Sequence, residues 1–287
     1  MLMLAADLDQ PYSVEDPAKI QGRDEVLLDE RSLAALRLRR ALSALPGDHG
    51  SLLLPGAGAG RYARAFARYR PGWRIVGGDL SRHAIVEATA AGGGPEYVVF
   101  DAEHMPFSDR AFDAVVFLDL IEHLPNPRRF LSECRRVLKP NGVLHFFSPL
   151  EAQPGTLYQA LDNDRPIPIH AWKLKHVGHI QRYSAPQLLQ MLWDAGFEPD
   201  EISFSFHLIG QTHDVLDYWA RERATGGQGR LPLSLVRAIS RVAMMATWRF
   251  AYLEDYVYSG QTFASGMHVT ARLRPSPESQ TANTPNI

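Results

Sequence analysis

The sequence predicts an α/β protein whose core is a doubly wound, mostly parallel sheet of Rossmann-like type. From about residue 48 to residue 150, short apolar runs alternate with segments of helical spacing. The run from Ala114 to Leu118 is apolar throughout, which is typical of a strand that helices cover on both faces. Such alternation indicates βαβ units, and their ligands bind at the carboxyl ends of the strands.

Hydrophobic spacing and turn residues place the elements in chain order. A first helix is predicted over 24–45, stopped by Pro46 and Gly47. Five strands then follow at 51–54, 73–77, 97–100, 114–118 and 143–147, with helices at 61–69, 81–91 and 127–138. The second half holds a helix over 184–195, a strand over 201–209, helices within 211–258 and a last strand over 267–273.

These elements give one domain over 23–273. Residues 1–22 are predicted to be a loose arm and residues 23–47 a helical cover. Residues 211–258 form an inserted helical lid, with a flexible joint over 225–229. The tail 274–287, rich in Pro, Ser, Thr and Asn, is expected to be disordered.

Charge and cysteine content exclude several classes of protein. The 30 Lys and Arg residues balance 32 Asp and Glu residues, so we do not expect nucleic-acid binding that involves the whole chain. The one cysteine, Cys134, excludes an internal disulfide and favours a reducing compartment. No convincing signal peptide and no uncharged apolar run of about 18 residues is found, so we expect a cytoplasmic protein. The sequence does not indicate an oligomeric state.

A glycine-rich loop joins the first predicted strand to the next helix. It reads Gly56-Ala57-Gly58-Ala59-Gly60, and such glycines let a ligand lie against backbone at a helix N-terminus. Arg61 stands where the dinucleotide-binding fingerprint Gly-x-Gly-x-x-Gly needs its third glycine. No Gly-Lys-Ser/Thr follows the loop, so a phosphate-binding loop of the Walker type is also absent. Alone, the loop also fits an ordinary tight turn.

Two acids follow the second and third predicted strands. Asp79 is placed to accept hydrogen bonds from both hydroxyls of a ribose, although it could merely end its strand. Asp101 faces the same crevice and could accept from an adenine amino group, although an Asx turn would use the same residue.

With these motifs, the chain resembles the class I S-adenosylmethionine-dependent methyltransferases of the ubiquinone-biosynthesis group. The resemblance covers about residues 48–200 and lies in the segments 52–60, 78–81, 101–107, 112–113, 121–127 and 136–142. It implies a seven-stranded sheet with an antiparallel last strand and S-adenosylmethionine as cofactor. Glycines Gly56, Gly58 and Gly60 would line its methionine part, Asp79 its ribose, and Asp101 with Ala102 its adenine. The remaining cofactor contacts are assigned to Ala57, Leu80, Leu118 and Asp119.

One position departs from the family pattern. The family carries an acid two residues before the first glycine, where this chain has Leu54. That acid helps to place the glycine loop and the ammonium group of the cofactor. Its absence implies weaker cofactor affinity, a compensating acid elsewhere, or a domain that binds without catalysing.

Three histidines are candidates for the group that deprotonates the acceptor: His123, His179 and His170. We rank His123 above His179. His123 ends the run Asp119-Leu-Ile-Glu122-His123, which resembles the E-x-x-E-H motif of ubiquinone-pathway O-methyltransferases, where the motif is implicated in divalent-metal binding. Glu-His-Leu also occurs in family members that need no metal, so we predict none. If they do not act as the base, His179 would anchor its loop over the sheet and His170 would pack in a lid.

Arginines dominate the segment from residue 221 to residue 249, with six Arg and one Glu. An amphipathic helix over 221–253 could touch a membrane surface, but a cap helix packed on the sheet fits better. We expect methyl transfer to an oxygen, nitrogen or carbon atom of a small molecule. The alternatives are a non-catalytic S-adenosylmethionine-binding protein, and an enzyme acting on a lipid-linked or macromolecular acceptor at a membrane surface.

Overall fold

The computed structural model describes residues 13–16, 20–161, 167–226 and 231–274. In these ranges the strands are β1 Gly50–Pro55, β2 Trp73–Asp79, β3 Glu96–Val99, β4 Phe112–Leu118, β5 Leu138–Pro149, β6 Phe197–Ser205 and β7 Gly266–Leu273. They form one sheet in the order β3-β2-β1-β4-β5-β7-β6. Strands β1 to β5 pair in parallel, and β7 runs antiparallel to both of its neighbours. The predicted fold class is confirmed.

Helices cover both faces of this sheet. Their bounds are α1 Leu33–Ala44, α2 Arg61–Tyr69, α3 Arg82–Ala91, α4 Pro127–Val137, α5 Leu157–Ala160, α6 Ile169–Val177, α7 Ala185–Asp194, α8 Leu208–Ala224 and α9 Leu233–Val257. A single 3₁₀ turn spans Ile121–His123. One face buries a cluster that includes Phe117 stacked on Phe146, and the other buries Leu38 and Phe66.

Several element boundaries differ from the predicted ones. The first helix begins at Leu33 and not at residue 24, because the Ser32 hydroxyl caps it by accepting from the Ala35 amide at 3.1 Å. Strand β6 ends at Ser205 and not at residue 209, since Phe206 has a positive φ of 59° and turns the chain into α8. Helices α5 and α6 were not predicted. The predicted disordered tail lies almost entirely outside the described residues.

The carboxyl ends of β1, β2, β4 and β5 meet at one edge of the sheet, where α6 and α8 also lie. Helices α8 and α9 fill the interval between β6 and β7, where the sequence placed a lid. The division of the chain into a domain and a lid stays a prediction. Among the described residues, no helix combines the length and apolarity that crossing a membrane requires.

Candidate functional site

The glycine loop is built on residues with left-handed backbone. Gly56, Gly58 and Gly60 have φ values of 70°, 54° and 86°. A Cβ atom at Gly58 would lie 2.6 Å from the carbonyl oxygen of Gln21, and one at Gly60 would lie 2.4 Å from the Tyr97 hydroxyl. Both conformation and space therefore require glycine, and the loop presents backbone where a side chain would block it.

The described part of the N-terminal arm docks on this loop. The Gln21 carbonyl accepts from the Ala59 amide at 2.8 Å. The Glu15 carboxylate accepts from the Ser81 hydroxyl and the Arg82 amide, each at 3.1 Å, at the start of α3. Residues 15 and 21 thus contact the glycine loop and the start of α3, and the loose arm over residues 1–22 stays a prediction.

Asp79 ends β2 beside the glycine loop, as predicted. Its carboxylate accepts from the Gly58 amide at 2.8 Å and from the Ser81 amide at 3.0 Å. Burial raises the pKa of Asp79 above its usual value, although these two amides favour the charged form. The carboxylate thus fixes the loop; its role as a ribose acceptor stays a prediction.

Asp101 forms the Asx turn that the sequence left open as an alternative. It accepts from the Glu103 amide at 2.8 Å and pairs with His104 Nδ1 at 3.0 Å. Ala102 beside it is buried, whereas Leu80, also predicted to contact the cofactor, is exposed. The adenine contact of this group stays a prediction.

A cavity of about 310 Å³ lies at the carboxyl edge of the sheet. Of the predicted cofactor residues, five line it: Gly56, Ala57, Gly58, Leu118 and Asp119. The lining does not include the other five, which are Gly60, Asp79, Leu80, Asp101 and Ala102. Helices α5, α6 and α8 contribute polar and aromatic groups to the same wall, among them Tyr158, Lys173, Asp214 and Tyr218.

An arginine and an acid meet inside this cavity. Asp119 follows β4 with a positive φ of 54°, and its carboxylate pairs with the guanidinium of Arg37 from α1. The guanidinium carbon lies 3.7 Å above the centre of the Phe147 ring. Burial opposes the charge of Arg37, but Asp119, Tyr62 and Glu122 together outweigh it, and the pKa of Arg37 is raised. Sequence reasoning missed Arg37; its position four residues after Leu33, on the apolar face of the helix, was the available signal.

Two of the candidate histidines meet at the cavity wall, with their rings 4.9 Å apart. His123 Nδ1 bonds to the Gly178 carbonyl at 3.1 Å, so the lone pair of its Nε2 is left toward Glu122, 3.8 Å away. His179 Nε2 lies 3.9 Å from the same Glu122 oxygen. Burial, together with the charge of His179, lowers the pKa of His123 to about 3. His123 is therefore neutral at physiological pH.

Glu122 sits between these rings without a hydrogen-bond partner. It is fully buried, and neither carboxylate oxygen has a partner among the described residues. Burial, and then the charge of Asp119, raises the pKa of Glu122 well above its usual value. Glu122, His123 and His179 could together offer three ligand atoms to a divalent cation. Asp119, the other member of the sequence motif, is engaged by Arg37 instead. The prediction that no metal binds stays a prediction.

A buried carboxylate, Glu151, orients His179. It lies just beyond β5 and contacts His179 Nδ1 at 2.5 Å. His170 Nδ1 and Lys173 Nζ each lie 3.3 Å from the same carboxylate. Burial opposes the charge of Glu151, but Lys173 and the histidines outweigh it and the pKa of Glu151 is well below its usual value. Lys173 also contacts Asp214 of α8 at 3.0 Å, which ties the lid to the site.

His170 is the candidate that the structure leaves away from the cavity. Its side chain is buried against Glu151 and does not line the cavity that His123 and His179 share. Glu151 and Lys173 were both missed from sequence. For Glu151 a signal existed, because it follows the fifth strand at the edge where a base was expected.

Comparison with known proteins agrees with this architecture. Residues 53–146 match the methyltransferase domain family. A demethylmenaquinone methyltransferase of Thermotoga maritima is 30% identical over 165 residues, which are 53% of this chain and 72% of that protein. A ubiquinone/menaquinone biosynthesis C-methyltransferase of Desulfotalea psychrophila is 38% identical over 110 residues, 37% of this chain. That match spans 45% of the Desulfotalea protein, so the chain covers under half of its length.

Among solved structures, the 4+2 cyclase SpnF has a TM-score of 0.56 at 23% identity, over 89% of this chain and 85% of that one. At that identity the likeness concerns the fold alone. The fold and the sequence relatives define a class I methyltransferase. The chain belongs to the S-adenosylmethionine-dependent methyltransferases of the ubiquinone and menaquinone biosynthesis type.

Proposed function

We propose that this protein binds S-adenosylmethionine and transfers its methyl group to an oxygen, nitrogen or carbon atom of a small molecule. One observation carries the proposal: the glycine loop faces the same cavity as His179, which the buried Glu151 carboxylate orients from behind. When bound, S-adenosylmethionine supplies an electrophilic methyl group, so the protein has mainly to orient the acceptor and take up its proton.

The stretch Gly56-Ala57-Gly58 would hold the methionine part of this cofactor, because it lines the cavity with small residues that let a ligand lie close to the backbone. Arg37 and Asp119 then offer one cation and one anion to the carboxylate and the ammonium of an amino-acid zwitterion. Asp119 thereby supplies the acid that the family carries two residues before the first glycine. Leu54 at that position is buried in the core and offers no charge.

His179 is the better base in this arrangement, although the sequence ranked His123 first. The carboxylate of Glu151 accepts a hydrogen bond from the Nδ1–H of His179, which leaves the lone pair of Nε2 to take up a proton from the acceptor. His123 has a pKa of about 3 and takes up a proton poorly at neutral pH. It lines the cavity as a neutral orienting group, and His170 supports Glu151.

A non-catalytic binding protein is the alternative, and the Arg37–Asp119 pair is the observation that favours it. This ion pair lies across the cavity wall where the methionine part would lie. A protein that uses the pair only for stability would have no need to open it. Both proteins would bind S-adenosylmethionine in calorimetry, and only the enzyme would then transfer the methyl group to an acceptor.

Transfer of labelled methyl groups to cell extract, fractionated by polarity, tests the activity itself. His179→Gln should lower the rate by about 10²–10⁴-fold with cofactor affinity unchanged, since it removes the base and leaves the glycine loop intact. His49→Gln, which changes an exposed histidine outside the cavity, is the matched control. Equal rates for His179→Gln and the parent protein would contradict the role of His179, and no transfer by the parent would contradict the proposed activity.

A further inference from the structure

Two ion-pair clusters join helices α6 and α8. In the outer cluster, Lys175 Nζ and His176 Nε2 lie 2.8 and 3.0 Å from the Glu222 carboxylate. In the inner cluster, Lys173 Nζ lies 3.0 Å from the Asp214 carboxylate. The inner cluster lines the cavity, and the outer cluster does not. The two clusters thus differ in their access to the site, although they join the same two helices.

Lys173 also reaches the carboxylate that contacts His179. Its Nζ atom lies 3.3 Å from Oε1 of Glu151, the same oxygen atom that His179 Nδ1 contacts at 2.5 Å. The other oxygen atom, Oε2, lies 3.3 Å from His170 Nδ1. Lys173 and His170 therefore hold the two oxygen atoms of the carboxylate, and Oε1 is kept facing His179.

The ammonium group of Lys173 is charged although it is buried. The side chain is 4% exposed, and Nζ lies 4.4 Å from the centre of the Tyr158 ring. Burial opposes the charge, but the two carboxylates and the two neighbouring tyrosines together outweigh it, so the pKa of Lys173 is well above its usual value. Glu151 needs such a cation, because a buried carboxylate without a partner is costly.

The charge of Glu151 decides which nitrogen atom of His179 carries the proton. An ionised carboxylate only accepts hydrogen bonds, so it holds the imidazole proton on Nδ1 and leaves the lone pair on Nε2. Without the cation of Lys173, the buried carboxyl group would take up a proton. A protonated carboxyl group donates to Nδ1, and the ring then carries its own proton on Nε2, where a base needs a lone pair.

We propose that Lys173 is a positioning residue for the base: held by Asp214 of the lid, its ammonium group keeps Oε1 of Glu151 in place as the acceptor for the Nδ1–H of His179. The base is then complete only when α8 lies on α6, which is the arrangement in which both helices line the cavity. This inference rests on the proposed function, because it takes His179 as the base.

A matched pair of variants separates positioning from the joining of the helices. The inner variant combines Lys173→Met with Asp214→Asn, and the outer variant combines Lys175→Met with Glu222→Gln. Each removes one cation and one carboxylate, because Lys173→Met alone would leave two buried carboxylates without a cation and strongly destabilise the fold. Circular dichroism checks that both variants are folded. Lys173→Leu with Asp214→Asn is a second inner variant for the same measurements.

Nitrogen NMR of the full chain, with isotopically labelled histidines, tests the positioning without cofactor or acceptor. The signals of His179 are assigned by their loss in His179→Gln. We expect the parent to carry the ring proton on Nδ1, the inner variant to carry it partly or fully on Nε2, and the outer variant to match the parent. A purely structural role of the ion pair would leave the proton on Nδ1 in a folded inner variant, and that result would overturn the proposal. The same change in both variants, or a parent with the proton on Nε2, would overturn it too.

Transfer of labelled methyl groups to cell extract measures the consequence for the reaction. With a fixed amount of extract and varied S-adenosylmethionine, the maximal rate of the inner variant should fall at least about tenfold, and by no more than the roughly 10²–10⁴-fold expected of His179→Gln. The half-saturating cofactor concentration should not change, and the outer variant should match the parent in both quantities. An unchanged maximal rate in the inner variant would contradict the positioning role. Because the NMR measurement needs no methyl transfer, an inactive parent would contradict the proposed function alone.

Discussion

Arg37 offers the sharpest test of how the site recognises its cofactor. Arg37→Met removes the guanidinium but keeps an unbranched stem beside Phe147. If the guanidinium binds the carboxylate of the methionine part, its loss removes a hydrogen bond between charged groups. Such bonds contribute about 1.5–3 kcal/mol, so affinity for S-adenosylmethionine should fall roughly 10- to 150-fold. Isothermal calorimetry on the purified variant measures this directly.

The ion pair that is lost makes only a small contribution of its own to stability. The Asp119 side chain is 35% exposed, so water can solvate it after Arg37 is removed. Unfolding by urea should therefore show a change no larger than about 1 kcal/mol, and the fall in affinity would not reflect a damaged fold. Arg68→Met, which breaks an exposed pair with Glu25, is the control and should bind the cofactor normally.

Tighter binding by Arg37→Met would refute this reasoning. It would mean that the Arg37–Asp119 pair lies in the way of the cofactor and has to be opened at a cost. Arg37→Lys sharpens the distinction, because lysine keeps the charge but not the planar fork. Under our reading it should bind with an affinity between those of Arg37→Met and the parent protein.

Three further predictions concern the ribose site, the buried acid and metal. Asp79→Ala should weaken S-adenosylmethionine binding roughly 10- to 100-fold in the same calorimetric assay, and unchanged affinity would remove Asp79 from the ribose site. The pKa of Glu122 is higher in the native protein than in the unfolded chain. The protonated side chain therefore stabilises the fold fully at pH values below the unfolded pKa, and this stabilisation is lost as pH rises through the native pKa. Glu122→Gln should therefore match the parent near pH ~4 and be more stable by about 1–3 kcal/mol near pH ~8 in urea unfolding; a loss of stability there would indicate a bound cation. Treatment with a chelator should leave methyl transfer unchanged, and activity restored by magnesium after chelation would contradict this.

Most of the sheet could be predicted because its strands are short apolar runs between turn residues. Strand β4 and helix α2 match their predicted positions closely. Helix α6 was missed for a physical reason: its buried side carries Lys173, which is neutralised by Glu151 and Asp214. A helix that buries a charge lacks the apolar period on which sequence prediction depends.

The candidate site, like the fold, could be predicted only in part. The glycine loop and the two histidines of the cavity belong to local motifs and were found from sequence. Arg37 and Asp119 are 82 positions apart, and Glu151 is 28 positions before His179. Pairs of this kind are created by the fold, and no local spacing indicates them. The contacts of Glu15 could not be predicted for the same reason, because its partners are the Ser81 hydroxyl and backbone amides of α3, far along the chain.

Under the proposed function, Asp119 takes the place of the family acid that this chain lacks at Leu54. Strands β1 and β4 are neighbours and run in parallel, with Leu53 paired to Val115. Asp119 directly follows the last residue of β4 and lines the same cavity as Ala57 of the glycine loop, one strand away from Leu54. Because the carboxyl ends of parallel strands meet at one edge, an acid can move from β1 to the end of β4 and still face the same ligand. The substitution of Leu54 by Asp tests this equivalence: it should restore cofactor binding to an Asp119→Asn variant, and failure to do so would show that the two places are not interchangeable.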